Sequence, residues 1–343
     1  MADTNDNTAF LAELDAPVKP RKLNYVIREG VRALSYSKIS TFGNCPRKFY
    51  LGELKGGRSF SPTIDTAYGH AVGAGIQEFF RYAETNSIEQ AKQRAVVAAI
   101  AAYDYLDLSE EKSYSKKDLW WAVLAIEKFC SEVGIQILSN FKLAYINGVP
   151  GIELTFLIQI NPTTDYQGHI DLVLEERTTG ELYVVEVKTS MNAPTPSDWA
   201  NSFQTLGYNT VLHAYAKGRG VNFNVLYICF ATKEREFYPM TFHKSVAARM
   251  EFITTLLLDV DTMDKYESHG FWPKRGNNCS AYNKPCYLFG ICDTHSMEAS
   301  TDSAYEGLAL EDVTIVLTLE EILAAEEHAL ETTDAYGVNW SNM

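Results

Sequence analysis

The chain has 343 residues, of which 46% are hydrophobic, and a formal net charge of −14. This length and composition exclude a wholly disordered chain and predict one large or two modest domains with a core. No run approaches the roughly 20 apolar residues that a membrane helix needs, and the N-terminus lacks the basic start and apolar centre of a secretory signal. We therefore expect a cytoplasmic protein with no membrane partner.

The negative charge is concentrated at the C-terminus. Residues 294–343 contain eleven Asp and Glu residues and neither Lys nor Arg, which leaves a net charge of −3 for residues 1–293. A local basic groove is therefore compatible with the acidic total. We predict a flexible leader at 1–30, a folded domain at 31–293 and an acidic tail at 294–343. The tail could solvate the protein, dock a protein partner or cover a nucleic-acid groove, and the first two readings are favoured.

The body of the chain changes from helical to strand-like periodicity near its middle. Segments 64–85, 88–106 and 117–139 have the period and composition of helices. Between about 141 and 190, short runs rich in β-branched and aromatic residues alternate with turn-like segments, which predicts a strand meander. A helix at about 197–217, two strands and a helix at about 244–266 follow. This order predicts a sheet flanked by helices, in an α/β or α+β core.

Two acidic residues and a lysine lie in neighbouring predicted strands. Asp171 and Glu186 are separated by turn residues at 178–180, a spacing that suits adjacent antiparallel strands. Glu186 and Lys188 are two residues apart and so share one face of their strand. One reading is a buried ion pair that only compensates its own desolvation. The other is a site in which Asp171 and Glu186 bind Mg²⁺ or Mn²⁺ and Lys188 acts at the attacking water.

The pattern of Gly168, Asp171 and Glu186-Val187-Lys188 resembles the motif of the PD-(D/E)XK nuclease superfamily. The resemblance implies an α/β, restriction-endonuclease-like core with a mixed central β-sheet. It also implies that Asp171 and Glu186 bind the metal, that Val187 contributes its backbone carbonyl, and that Lys188 acts at the nucleophile.

Further elements resemble the branch of that superfamily containing the RecB and AddB nuclease domains. Gln204 and Tyr208 match its Q-x-x-x-Y element, which implies that they support the lysine or the substrate. In that branch a G-x-x-x-H helix supplies a histidine ligand, followed four positions on by an acidic residue. Here Gly73 and Gln77 occupy those positions. His70 is then either a replacement ligand or a structural residue or phosphate contact.

Other residues could also bind metal. Glu153, one strand before Asp171, is either a further ligand or an exposed residue at a strand edge. Four cysteines, Cys45, Cys279, Cys286 and Cys292, make the number that a structural zinc or a 4Fe-4S cluster requires. Their arrangement is similar to the iron–sulfur staple of AddB and of CRISPR-associated exonucleases. This resemblance implies a 4Fe-4S cluster, with structural Zn²⁺ as the alternative, joining the N-terminal helical region to the C-terminal cysteine loop.

These features together predict a divalent-metal-dependent deoxyribonuclease with DNA as its partner. The resemblance implies an exonuclease on single-stranded or end-opened DNA, in recombination, repair or phage DNA processing, inside a bacterial or phage-infected cell. Basic and aromatic residues interleave around Cys45 and flank the other three cysteines, as a path for single-stranded DNA requires. The alternative is a catalytically silent DNA-binding or assembly module that keeps the fold and the cluster.

Overall fold

The computed structural model describes residues 26, 28–56, 63–103, 117–216, 220–281, 284–290, 292 and 313–332. The N-terminal half forms β1 (Arg32–Leu34), α1 (Tyr36–Asn44), α2 (Pro46–Phe49), a π-helical turn (Tyr50–Leu54), α3 (Ile64–Tyr82), α4 (Ile88–Ala102), α5 (Leu119–Ser131), α6 (Val133–Asn140), β2 (Phe141–Leu143), β3 (Tyr145–Ile146), β4 (Val149–Pro150) and β5 (Ile152–Asn161). There follow β6 (Thr164–Glu176), β7 (Leu182–Ser190), α7 (Pro196–Trp199), α8 (Phe203–Tyr215), β8 (Val221–Ala231), β9 (Glu236–His243), α9 (Val246–Ser268), a 3₁₀ turn (Gly276–Asn278), β10 (Ser280–Ala281), β11 (Lys284–Pro285), β12 (Ile315–Thr318) and α10 (Leu319–Thr332).

An eight-stranded sheet forms the centre of the fold. Its main path is β12-β5-β6-β7-β8-β9, and β1 and β2 also pair with β6. The meander β5-β6-β7 is antiparallel, whereas β7 and β8 are parallel because α7 and α8 cross over between them. The predicted mixed central sheet flanked by helices is confirmed.

Helices cover both faces of this sheet. On one face, Leu206, Phe252 and Ile322 from α8, α9 and α10 belong to one buried cluster. On the other face, Phe79 and Phe129 from α3 and α5 belong to a second cluster. Burial of apolar side chains against both faces is the main stabilising contribution to such a layered fold. None of the described helices has an apolar stretch long enough to cross a bilayer.

The predicted helix at 117–139 is interrupted. Glu132 has φ −120° and ψ −80°, which is not helical, and it separates α5 from α6. Gly134 lies near the start of α6, where the chain takes its new direction. A Cβ at this position would lie only 2.6 Å from the ring of Phe79 on α3. The break therefore lets α6 approach α3 closely, a tertiary requirement that helical periodicity does not reveal.

Part of the segment that we set apart as an acidic tail belongs to the folded body. β12 pairs in parallel with β5, in the register Ile315↔Phe156. Its buried Ile315 and Leu317 alternate with the exposed Val316, and α10 then buries Ile322 in the core shared with α8 and α9. Segments 294–312 and 333–343 lie outside the described residues.

The end of the predicted leader is also attached to the sheet. Val26 exchanges backbone hydrogen bonds with the side chain of Gln167, and Arg28 forms a bidentate ion pair with the buried Asp165. Residues 1–25 lie outside the described residues.

Candidate active site

Asp171 lies at a fork in the sheet. β1 and β7 follow one another along the same edge of β6: β1 pairs with residues 164–166, and β7 pairs from Leu172 onwards. Residues 167–170 pair only with β5, so this edge is open immediately before Asp171. The pair Leu172↔Val185 brings Asp171 opposite Glu186 at the next position, as the spacing predicted.

Glu186 and Lys188 project from β7 on the same face. The side chain of Glu186 is fully buried, whereas that of Lys188 is 35% exposed. Lys188 Nζ lies 2.5 Å from Glu186 Oε1. Because part of the Lys188 side chain is exposed to solvent while Glu186 is enclosed, an approaching anion can reach Lys188.

Helix α8 supplies the next residues of the network. Lys188 Nζ donates a hydrogen bond to Gln204 Oε1 (3.0 Å), and Gln204 Nε2 donates to the Tyr208 hydroxyl (2.9 Å). Gln204 and Tyr208 are neighbours because residues i and i+4 share a helix face. The four side chains Glu186, Lys188, Gln204 and Tyr208 thus form a continuous chain of contacts from sheet to helix.

The charges in this cluster perturb one another. Burial and the nearby Asp171 carboxylate raise the pKa of Glu186 to about 8. Burial raises the pKa of Asp171, although Lys188 and the Val187 N–H act against it. Burial alone lowers the pKa of Lys188, but the attraction of Glu186 and Asp171 outweighs it and raises that pKa overall. Two crowded carboxylates and one ammonium leave the site short of positive charge.

The donor atoms at the site suit a divalent cation, although among the described residues Asp171, Glu186 and Glu153 do not form a group of three acidic side chains placed to hold one. Both carboxylate oxygens of Glu186 are buried and make no hydrogen bond with the described residues, and the charge of Lys188 is shared between Glu186 and Asp171. Val187 N donates to Asp171 Oδ2 (3.1 Å). The N–H and C=O of one strand residue point to the same side, so the Val187 carbonyl also faces the fork. Two carboxylates and a carbonyl are the hard oxygen ligands that Mg²⁺ or Mn²⁺ prefers.

Glu153 lies beside the site and is linked to it by Gln77. The sequence did not predict this contact. Gln77 Nε2 on α3 donates to Glu153 Oε1 (2.6 Å) and to the backbone carbonyl of Asp171 (3.1 Å). Glu153 has φ +49°, in the left-handed region that costs free energy for a residue other than glycine. Gln77 therefore ties the strand that carries Asp171 to α3. The sequence offered one signal for this contact: Gln77 follows Gly73 by four positions, where the resembling branch has an acidic residue.

His70 is not gathered with these residues. It is exposed on α3, while its neighbour Gly69 faces the sheet, with a Cβ position 3.6 Å from Thr189 Oγ1. Gly73 lies on the stripe between Gly69 and Gln77, and the space around its Cβ position is open to 4 Å. The helix face at the site is thus formed by Gly69, Gly73 and Gln77, which carry neither a carboxylate nor an imidazole.

The four cysteines of the predicted cluster lie in two neighbouring segments, at the end of α1 and in the loop after α9. Cys45 is buried and the other three are half-buried, and all four are free. Asn278 Nδ2 donates to the Asn44 carbonyl, which brings the cysteine loop against the end of α1. Within the described residues, however, no group of three or more His, Cys, Asp or Glu side chains is placed to hold a metal ion. The predicted cluster thus gains no support from the structure.

A cleft of about 580 Å³ opens beside Lys188 and Gln204. Helix α1 forms one side of it with Tyr36 and Ser40, the start of α8 forms another, and α9 contributes Asp259. The network of charged groups is therefore at the edge of an open space that can admit a substrate.

The comparison with family models agrees with this geometry. The model of the PD-(D/E)XK nuclease superfamily matches residues 33–293, and the chain belongs to that superfamily. Its members in general use Mg²⁺ or Mn²⁺. No curated protein matches the chain. A solved structure of an inferred exonuclease from Eubacterium rectale is similar over 85% of this chain and 98% of that chain, with 12% identity and a TM-score of 0.43.

Proposed function

We propose that this protein is a divalent-metal-dependent deoxyribonuclease that acts as an exonuclease on single-stranded or end-opened DNA. The observation that carries the proposal is the convergence of Asp171, Glu186 and Lys188 at the fork of the sheet, beside an open cleft. Membership in the nuclease superfamily supports hydrolysis of a phosphodiester as the reaction.

Asp171 and Glu186 would hold the cation, together with the Val187 carbonyl. A divalent cation at this position supplies Lewis-acid polarisation of the phosphate and lowers the pKa of a nearby water. The two carboxylates are suited to this role because their mutual repulsion is relieved only by added positive charge. Gln77 holds the strand that carries Asp171 in place through its backbone carbonyl.

Lys188 acts as a hydrogen-bond donor rather than as a base. Its raised pKa keeps it an ammonium at neutral pH, so it can orient the attacking water and stabilise negative charge on the phosphate. Gln204 restrains the ammonium through Oε1, and Tyr208 in turn restrains Gln204. This preorganisation reduces the reorganisation that the reaction itself requires.

A cleavage assay tests the proposal. Its substrates are end-labelled single-stranded and double-stranded DNA in Mn²⁺ or Mg²⁺, and EDTA serves as the blank. We expect Lys188→Ala to lower the rate at least about 10²-fold. Lys142→Ala is the matched control, because Lys142 pairs with Glu175 at a half-exposed position away from the fork. An unchanged rate in Lys188→Ala would contradict the assigned role. Labels at either end distinguish exonucleolytic from endonucleolytic products.

The second candidate is a catalytically silent DNA-binding module. Gly73 and Gln77, which stand where the resembling branch has a histidine and an acid, favour it. Such a module would bind the labelled DNA and leave it intact in both metals.

The iron–sulfur cluster, the cytoplasmic location, a protein partner of the acidic segment and the cellular process stay predictions from the sequence. Metal analysis of anaerobically purified protein addresses the cluster. Iron and visible absorption that are lost in Cys279→Ser would support it, whereas zinc has no visible absorption of its own.

A further inference from the structure

The cleft beside Lys188 is lined by aromatic rings that the proposed hydrolysis does not use. Tyr36, Trp199 and Phe203 line it, and all three are half-buried. Trp199 is stacked on Tyr227, with 5.2 Å between ring centroids and 9° between planes. Phe203 packs edge-on against Phe252 at 5.9 Å. Rings already held by neighbours lose little conformational entropy when a ligand stacks on them.

Positive charge is scarce in the cleft. Among the described residues that line it, Lys188 is the single Lys or Arg. A groove that follows a phosphate backbone needs several cations along its length. The cleft is therefore suited to one phosphate at Lys188 and to uncharged, planar groups elsewhere. Its volume of about 580 Å³ lies within the range of about 300–1,000 Å³ typical of small-ligand pockets.

Asp259 on α9 gives the cleft a specific acceptor. Its carboxylate is half-buried and makes no hydrogen bond or ion pair with any residue that the structure describes. Burial raises the pKa of Asp259. A carboxylate in this position gains most from a ligand that brings an N–H donor.

We infer that the cleft is a nucleobase pocket of the DNA-binding site, in which the base stacks among Tyr36, Trp199 and Phe203 and donates an amino hydrogen to Asp259. This inference rests on the proposed function, because it needs a DNA phosphate at Lys188. The pocket favours cytosine over thymine: cytosine presents its N4 amino group, whereas thymine has a carbonyl there and its one N–H lies between two carbonyl oxygens. The two pyrimidines have similar rings, so the difference between them reports Asp259 rather than stacking.

Binding, rather than cleavage, tests the pocket. The probes are fluorescein-labelled oligodeoxycytidine and oligothymidine of equal length, and anisotropy is measured in Ca²⁺, an oxygen-seeking cation. We expect the protein to bind oligodeoxycytidine about tenfold more tightly. Asp259→Asn should bring the ratio close to one, because an amide offers both a donor and an acceptor. Phe203→Leu should weaken binding of both probes by a similar factor.

The matched control is Asp261→Asn, two residues further along α9. Asp261 is 59% exposed and pairs with Lys265, so its removal should leave the ratio unchanged. Equal affinity of the unaltered protein for both probes, or a ratio that survives Asp259→Asn, would overturn the inference, as would failure to bind either probe. The nuclease proposal is judged separately, by cleavage of mixed-sequence DNA in Mn²⁺. If the protein cleaves DNA but binds the two probes equally, only the pocket inference fails. If it discriminates between the probes but does not cleave, only the proposed hydrolysis fails.

Discussion

Among the described residues, Glu186 and Glu326 are the carboxylates that are fully buried within an ion pair, and their two pairs differ in how they are completed. In the first, Glu186 is fully buried and Lys188 lies against it at 2.5 Å with 35% of its side chain exposed. In the second, Arg249 Nη2 on α9 lies 3.1 Å from Glu326 Oε2 on α10, and both side chains are fully buried.

The second pair is enclosed and has one cation for one carboxylate, although Arg249 Nη2 and the Glu326 oxygens, like those of Glu186, make no hydrogen bond with the described residues. Arg249 also donates to Asn209 Oδ1 (3.3 Å) and lies 4.0 Å from the centre of the Phe223 ring, so its guanidinium is enclosed on several sides. The first pair is crowded by a second carboxylate, Asp171, and opens onto a cleft. A buried ion pair by itself thus indicates no function. Excess charge of one sign together with an open side distinguishes the candidate active site from a structural pair.

The largest expected difference between the two pairs is in stability. Glu326→Gln leaves Arg249 buried without its counter-charge and should lower the free energy of unfolding by about 3–5 kcal/mol. In EDTA, Glu186→Gln should leave the free energy of unfolding unchanged or raise it, because it removes repulsion with Asp171. Urea unfolding followed by tryptophan fluorescence measures both.

Glu175→Gln is the control for this comparison, since Glu175 forms a partly exposed pair with Lys142 and should contribute at most about 1 kcal/mol. If Glu326→Gln costs no more than this control, the contrast between an enclosed pair and a functional one fails.

Stabilisation by Mn²⁺ should depend on the first pair and not on the second. Mn²⁺ at about 100 times its Kd should stabilise the unaltered protein by about 2.7 kcal/mol. Glu186→Gln should lose this stabilisation, because it removes a ligand, while Glu326→Gln should keep it despite its lower starting stability. Unfolding with and without Mn²⁺ gives the answer, and equal stabilisation of the two variants would contradict the ligand assignment.

A pH dependence of the free energy of unfolding is also expected from the first pair. Without metal, the pKa of Glu186 rises on folding from 4.5 to about 8, through burial and then through Asp171. Between these values the folded state keeps a proton that the unfolded state has lost, so stability should fall as pH increases through this window. Unfolding in EDTA at stepped pH measures the slope. We expect Glu186→Gln to reduce it, and an equal slope in that variant would rule out Glu186 as its source.

The arrangement of the candidate site follows closely from the sequence. Alternation along β7 puts Glu186 and Lys188 on one face, and a short turn brings Asp171 opposite Glu186. The contact between Gln204 and Tyr208 follows from helical spacing. These relations are local, within one element or between strands joined by a turn, so the periodicity of the backbone is sufficient to predict them.

Contacts between distant segments were not predictable in this way. The acidic composition of residues 294–343 suggested a solvated tail, but α10 provides the counter-charge that Arg249 lacks on its own helix. Neither residue signals this need in the sequence, because whether a charged residue is buried depends on what packs over it. The cleft with Tyr36 and Asp259 likewise combines α1, α8 and α9 and has no motif.

The sequence by itself determined the order of the elements, the mixed sheet and the face on which the acidic residues and the lysine lie, because all of these follow from short-range periodicity. Only the tertiary structure decided that the C-terminal strand and helix complete the sheet and core, and which charges are enclosed and which are open. Burial and charge compensation arise from packing between remote segments, and the free energy of each depends on neighbours that the local sequence does not specify.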